Sequence, residues 1–247
     1  IYGVYVLVSK LFGLDFAGKI NLAGMSFGIV EFICLVILII TSIMVLTNAL
    51  RIPKNANDYQ KILLAHAFTW VGVQTMFIYA FFFLTNKMEL GDAAGKVNSL
   101  AFFILSLISA ILPAFVLNPI AKKIGMVRTH LIAIFIMAVG YSGIFFFATS
   151  VPVYYLFIAI AGIGWGSVVS LPFAIMSERV DQTKMGLYMG IFNLSVVLPQ
   201  MVASFKMGEI INHSADKGVV FLICGVTLFI SGVLWLFVKN DKSIVQK

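Results

Sequence analysis

Charge is what this sequence has least of. Asp, Glu, Lys and Arg make up 11% of its 247 residues, against about a quarter in a soluble domain. A water-facing globular fold is excluded on that ground, and the mean hydropathy of +1.05 points to a chain that crosses a membrane several times. Cysteine is scarce too. Cys34 and Cys224 both sit inside apolar runs, which reads as two buried thiols and not as a disulfide. The three histidines, His66, His130 and His213, fall in separate segments without the spacing of metal ligands. No GxSxG, HExxH, P-loop or CxxC pattern occurs. The expectation is therefore no catalysis, no cofactor and no metal. No cleavable signal pattern is present, and YGVYVLV after Ile1 reads as the tail of a helix already under way. A piece of a longer protein is expected.

Apolar residues are what the sequence has in quantity, 61% of the total, with 23 phenylalanines and 11 methionines. A membrane-spanning helix takes about 20 mainly apolar residues. That measure predicts a partial helix at 1–8 and full spans at 24–48, 62–85, 97–119, 128–149, 152–176, 185–206 and 218–238, joined by short loops. A net charge of +7 with pI near 9.4 would mark a nucleic-acid binder among soluble proteins. Here no nucleic-acid partner is expected, because the positive charge gathers in alternate loops. One set holds Arg51, Lys54, Lys61, Lys122, Lys123, Arg128, Arg179, Lys184, Lys239, Lys242 and Lys247. The other holds Lys10, Lys19, Lys87, Lys96, Lys206 and Lys217, nearly balanced by acids. Positive loops stay inside, so the first set and the C-terminus are expected in the cytoplasm, with the chain in the cell (inner) membrane. Six complete spans then follow the cytoplasmic loop 50–61, as in the second half of a twelve-helix carrier.

The spans are chemically unequal. Ser167, Ser170 and Pro172 lie in one, and Asn193, Pro199 and Gln200 in the next. Such groups are tolerated at membrane depth only against protein or a water-filled cavity. Gly186, Gly190, Asn193, Val197, Gln200 and Ser204 recur at steps of four and three, hence on one helical face. Two readings of that stripe stand: amides that hydrogen-bond a polar solute, or a clasp between helices. On 62–85, His66, Trp70 and Gln74, with Phe77 or Tyr79 beyond, mark one slowly drifting side. An indole beside an amide suits a sugar, because the ring stacks on C–H faces while the amide reads hydroxyls. Trp165 is a second indole of this kind.

His66 and Glu31, the one carboxylate well inside a span, are the candidates for binding a coupling ion. Each has a plainer reading, as an interface histidine and as a group reaching the headgroups. Pro113, Pro172 and Pro199 each remove a backbone donor and predict a kink, gating or static. Spans 128–149 and 218–238, without amide or charge at their centres, are expected to be outer helices facing lipid. Gly162 and Gly166 are expected at a close helix contact. Asn118–Arg128 is expected to be a tight basic turn, and Ser177–Gly186 its counterpart, with Glu178, Arg179, Asp181 and Lys184 paired.

SLPFAIMSE followed by GLYMGIFNLSVVLPQM resembles a segment of glycoside–cation symporters and sucrose transporters, a branch of the major facilitator superfamily. The matching positions are Ser170, Pro172, Phe173, Ala174, Gly186, Gly190, Asn193, Pro199 and Gln200. NPIAKKIGMVR is similar to the superfamily's loop between the second and third helices of a half, without the usual glycine and aspartate before the basic pair. The resemblance covers most of residues 60–238. It implies an all-α polytopic membrane fold of the major facilitator type. Residues 1–61 would close the N-terminal bundle with the end of helix five, helix six and a cytoplasmic loop, and 62–247 would form the C-terminal six-helix bundle. It also implies two bundles rocking about a central sugar site, with proton coupling through a carboxylate of the first bundle.

The expected function is a secondary active transporter of a sugar, in particular a symporter of a sucrose-like or maltose-like disaccharide with a proton or Na+. Trp70, Gln74, Trp165, Ser170, Asn193 and Gln200 would face the sugar. A sugar brings many hydroxyls and no charge, and no basic residue lies mid-span as an anionic substrate would require. The alternatives are an exporter or facilitator of another small solute on the same fold, and a non-transporting membrane sugar sensor.

Overall fold

The computed structural model describes residues 19–22, 25–28 and 58–240, and the chain divides into two units, Ile1–Ile52 and Pro53–Lys247. In the first unit Lys19–Leu22 (β1) pairs antiparallel with Met25–Gly28 (β2), Lys19 opposite Gly28. Polar and apolar residues alternate along both, as Lys19, Ile20, Asn21, Leu22 and as Ser26, Phe27, which is the period of a strand. The first residues of the expected span 24–48 are thus extended, because that alternation outweighs their apolar content. The rest of that span with Glu31, the partial helix 1–8 and most of the loop 50–61 lie outside the described residues.

The described part of the second unit is helical: α1 (Asp58–Asn86), α2 (Ala93–Leu112), α3 (Asn118–Ile124), α4 (Met126–Phe147), α5 (Val151–Ser177), α6 (Met185–Val202), α7 (Gly208–His213) and α8 (Val219–Trp235). Five stretches, Asp58–Asn86, Ala93–Ile124, Met126–Phe147, Val151–Ser177 and Gln182–His213, are long and apolar enough to cross a membrane, and α8 is a shorter apolar helix. They coincide with the six spans expected between residues 62 and 238. A helix satisfies its backbone groups within its own segment, so apolar runs take this form in lipid. Pro152 falls in the first turn of α5, where its missing N–H leaves nothing unpaired.

Ala93–Ile124 and Gln182–His213 are rods of 32 residues each, and each is interrupted by a five-residue π segment, Pro113–Leu117 and Ala203–Met207. A proline ring collides with the carbonyl one turn back, and a wider turn relieves the collision. Pro113 opens the first segment and Pro199 stands one turn before the second, while Pro172 is absorbed within α5. The expected basic turn at Asn118–Arg128 is much narrower than its sequence implied. Asn118–Ile124 stays helical, with Pro119 in its first turn, and the chain reverses at Gly125, whose φ of 92° favours glycine. Asn240 Nδ2 donates to the Ile124 carbonyl at 2.9 Å across this point.

Helices α1, α4, α5 and α8 carry the core. α4 lies along α5, and α8 along both α1 and α4, while α2 leans on α5 and α6 on α1. Two glycines set the closeness of the α4–α5 seam. A Cβ at Gly140 would lie 2.8 Å from the Ala161 nitrogen, and one at Gly164 would lie 2.7 Å from the Ala133 carbonyl oxygen. Gly162 and Gly166 meet Ile108 and Ser109 of α2, the close contact their spacing implied. Between α1 and α8, Thr69 Oγ1 and Ser231 Oγ are 2.7 Å apart, and Ser231 also donates to the Ala65 carbonyl at 2.8 Å. Cys224 is a buried free thiol. The two helices expected outside, α4 and α8, each have a core side and an exposed apolar stripe, with Ile132, Val139 and Phe146 on one and Val226 and Phe229 on the other.

Charged residues close the two ends of the bundle. At one end Arg179 reaches out of its own segment to Asp58 at 4.0 Å and donates to the Ile175 and Lys239 carbonyls. Asp181, expected in an ion pair, instead accepts from the Thr183 hydroxyl and N–H, which together hold its carboxyl below the usual range. At the other end Lys87 pairs with Asp216 at 2.9 Å. The Lys87 hydrogen bond, followed by the Gly218 N–H, holds the Asp216 carboxyl low.

Candidate substrate-facing site

On α1 the four-residue repeat His66, Trp70, Gln74 winds along one face, with Phe77 next. The Trp70 indole donates its Nε1–H to His66 Nε2 at 2.8 Å. Phe192 of α6 stacks on the imidazole, the centroids 4.7 Å apart and the planes 15° from parallel. Trp165 of α5 meets Trp70 edge-on at 6.0 Å and Phe77 at 5.3 Å, and Phe77 leans on Phe102 of α2 at 5.5 Å. A band of rings therefore crosses α6, α1, α5 and α2. Trp70, Gln74, Phe77 and Trp165 are half-buried in it.

The stripe on α6 is open. Gly186, Gly190, Asn193, Val197 and Ser204 are exposed and Gln200 is half-buried, and a Cβ at Gly186 or Gly190 would meet nothing within 4 Å. A clasp would need a partner helix here, and the described residues supply none. The side-chain amides of Asn193, Gln200 and Gln74 make no hydrogen bond among the described residues. Helix α6 runs beside α1 in the same direction. Tyr59 Oη donates to the Tyr188 carbonyl at 2.6 Å, His66 stacks on Phe192, and Tyr79 Oη reaches the Ala203 carbonyl at 3.5 Å. Trp70 and Gln74 therefore lie level with the stretch between Phe192 and Ala203, which carries Asn193 and Gln200.

Ser170 stands apart from this group. Its hydroxyl donates to the Gly166 carbonyl at 2.7 Å, and it borders a cavity of about 760 Å³ with Pro113, Asn118, Lys122, Arg179 and Asn240 at the charged end of the bundle. Sequence reasoning weighed His130 only as a metal ligand and gave it no other partner. His130 Nδ1 lies 2.8 Å from Ser167 Oγ, and its ring meets Trp235 edge-on at 4.5 Å. Ser167 was conspicuous as a hydroxyl deep in an apolar span, and such a group needs a partner, but no spacing within either span points to a residue 37 positions away.

Apolar helices long enough to cross a membrane, packed into a bundle with an open face on α6, define a helical membrane-protein fold. Residues 26–204 match the Major Facilitator Superfamily, and the chain belongs to that family. Two solved structures share the fold. The POT family transporter PepTSo is 20% identical with a TM-score of 0.63, over 74% of this chain and 37% of that one. An auto-inhibited POT family peptide transporter is 16% identical with a TM-score of 0.58, over 75% of this chain and 38% of that one. The chain thus spans little more than a third of the length of either. No curated protein matches it.

Proposed function

We propose that this chain works within a proton-coupled symporter that carries an uncharged disaccharide, sucrose-like or maltose-like, by alternating access. The observation that carries the reading is the open amide pair of α6, Asn193 and Gln200, level with the half-buried Trp70, Gln74 and Trp165. Stacking rings beside unpaired donors and acceptors suit a polyhydroxyl solute. One of the solved structures that share the fold is a peptide transporter. A peptide's charged termini call for a buried cation and carboxylate, and the central stretches of the described spans hold no Asp, Glu, Lys or Arg. His66 is the coupling group within the described residues, with Glu31 a second candidate. Pro113, Pro172 and Pro199 are the points of bending. The Lys and Arg bias of alternate loops supports a cytoplasmic C-terminus.

Uptake of radiolabelled sucrose and maltose into proteoliposomes tests the reading. Asn193→Ala and Gln200→Ala should each lower uptake about tenfold or more at unchanged protein abundance, and collapsing the pH gradient should abolish accumulation while exchange continues. Unchanged kinetics in both variants would remove the site assignment. Uptake blocked by dipeptides and indifferent to disaccharides would replace the sugar with a peptide.

A further inference from the structure

We propose that His66 and Trp70 form a proton-operated latch, in which a hydrogen ion bound at His66 Nε2 releases the Trp70 indole N–H for the substrate. The latch rests on geometry alone; what the released N–H meets rests on the transport reading above.

An indole N–H donates and cannot accept. The 2.8 Å bond from Trp70 Nε1 therefore requires an unprotonated Nε2, and the hydrogen of the neutral ring sits on Nδ1. Nδ1 is buried without a hydrogen-bond partner. A hydrogen ion entering this ring has one lone pair to occupy, the one already used by Trp70. Protonation adds a hydrogen at Nε2, breaks no bond between heavy atoms, and sets two donors face to face. One ring must yield. His66 is 2% exposed and pinned by the Phe192 stack. Trp70 is half-buried and touches Trp165 only edge-on, so the indole swings. Its freed N–H then becomes available at the level of Gln74 and the α6 amides.

Aromatic rings wall the pair. Phe192 of α6 covers His66, Trp165 of α5 backs Trp70, and Trp235 of α8 packs on His130. His130 of α4, hydrogen-bonded to Ser167, is the other buried imidazole among the described residues. Among the described residues no carboxylate, lysine or arginine hydrogen-bonds or ion-pairs with either ring. Because one proton frees one donor, proton and substrate raise each other's affinity, which is the linkage a symporter needs.

The chain contains three tryptophans, so their indole ¹⁵N–¹H signals in nanodiscs can be followed one by one from about pH 8 to pH 5, the range in which histidine titrates. Assignment uses Trp70→Phe or, by elimination, Trp165→Phe and Trp235→Phe. The Trp70 signal should move together with the His66 ring signals while the other two stay. His66→Gln offers a permanent acceptor that takes no proton, so its Trp70 signal should ignore pH. Sucrose or maltose should bind the wild type about tenfold more tightly at the acid end, one hydrogen bond's worth, and bind His66→Gln equally at both ends. A Trp70 signal that stays still while His66 titrates, or a His66 that does not titrate, overturns the latch. A Trp70 signal that moves in a protein binding neither sugar keeps the latch and removes the sugar.

Discussion

Helices α4 and α6 belong to the same bundle, yet a glycine means opposite things in them. Across the spanning stretch of α4 half the residues are buried, and across that of Gln182–His213 only 17%. Gly140 on α4 stands where a Cβ would press into the α5 backbone, whereas Gly190 on α6 faces open space. The same residue type, in helices both apolar enough to cross a membrane, thus marks a closed seam in one and an open stripe in the other. The closed seams around α4, α5, α8 and α1 hold the bundle together. The open stripe is where polar groups remain unspent, and it is the face that the proposed function assigns to a solute.

The contrast can be broken most forcefully by filling both kinds of glycine. Gly164→Leu drives a side chain into Met137 and the Ala133 carbonyl and should cost about 3 kcal/mol or more, seen as loss of monodisperse protein on size-exclusion chromatography. Gly190→Leu should leave that profile untouched, and equal losses from both would erase the distinction. A smaller effect is expected where the open helix bends. Pro199→Ala restores a backbone donor one turn before the Ala203–Met207 π segment and should slow turnover several-fold while substrate affinity holds; unchanged turnover would make the bend static. The smallest effect lies at the end of the closed core, at Asp216. Its carboxyl titrates lower folded than unfolded, so its pairing with Lys87 stabilises above the ordinary carboxylate range near 4 and is lost as pH falls through the lower folded value. The Asp216 side chain is 46% exposed, which limits the gain to under about 1 kcal/mol. Thermal unfolding from about pH 6 to pH 3 should therefore cost the wild type slightly more than Asp216→Asn, and identical profiles would deny the pair any role.

The spanning helices were legible because a run of some 20 apolar residues has one stable form in lipid. Their full lengths were not. NPIAKKI reads as a loop by its charge, yet it continues a helix already begun, and only the positive φ of Gly125 marks the stop. Proline announced a bend at Pro113 and Pro199, while the choice of a π segment depended on neighbours that the sequence does not place. Of the site, the repeat His66, Trp70, Gln74 was visible because period four is local. The His66–Phe192 stack and the His130–Ser167 bond join residues 126 and 37 positions apart, and such pairings come from how helices pack, which no periodicity within one span encodes. The alternating strand at Met25–Gly28 was masked by reading its hydrophobic content without its period.

Asn240 stands 116 residues after the carbonyl it holds at Ile124. At a synthesis rate of about 5–20 residues per second, the reversal at Gly125 spends roughly ten seconds of the chain's birth without that hydrogen bond. Both α4 and α5 are made within that interval. The brace arrives only after α8 has been made, so a reversal formed early in the bundle is fastened late, by a residue beyond α8.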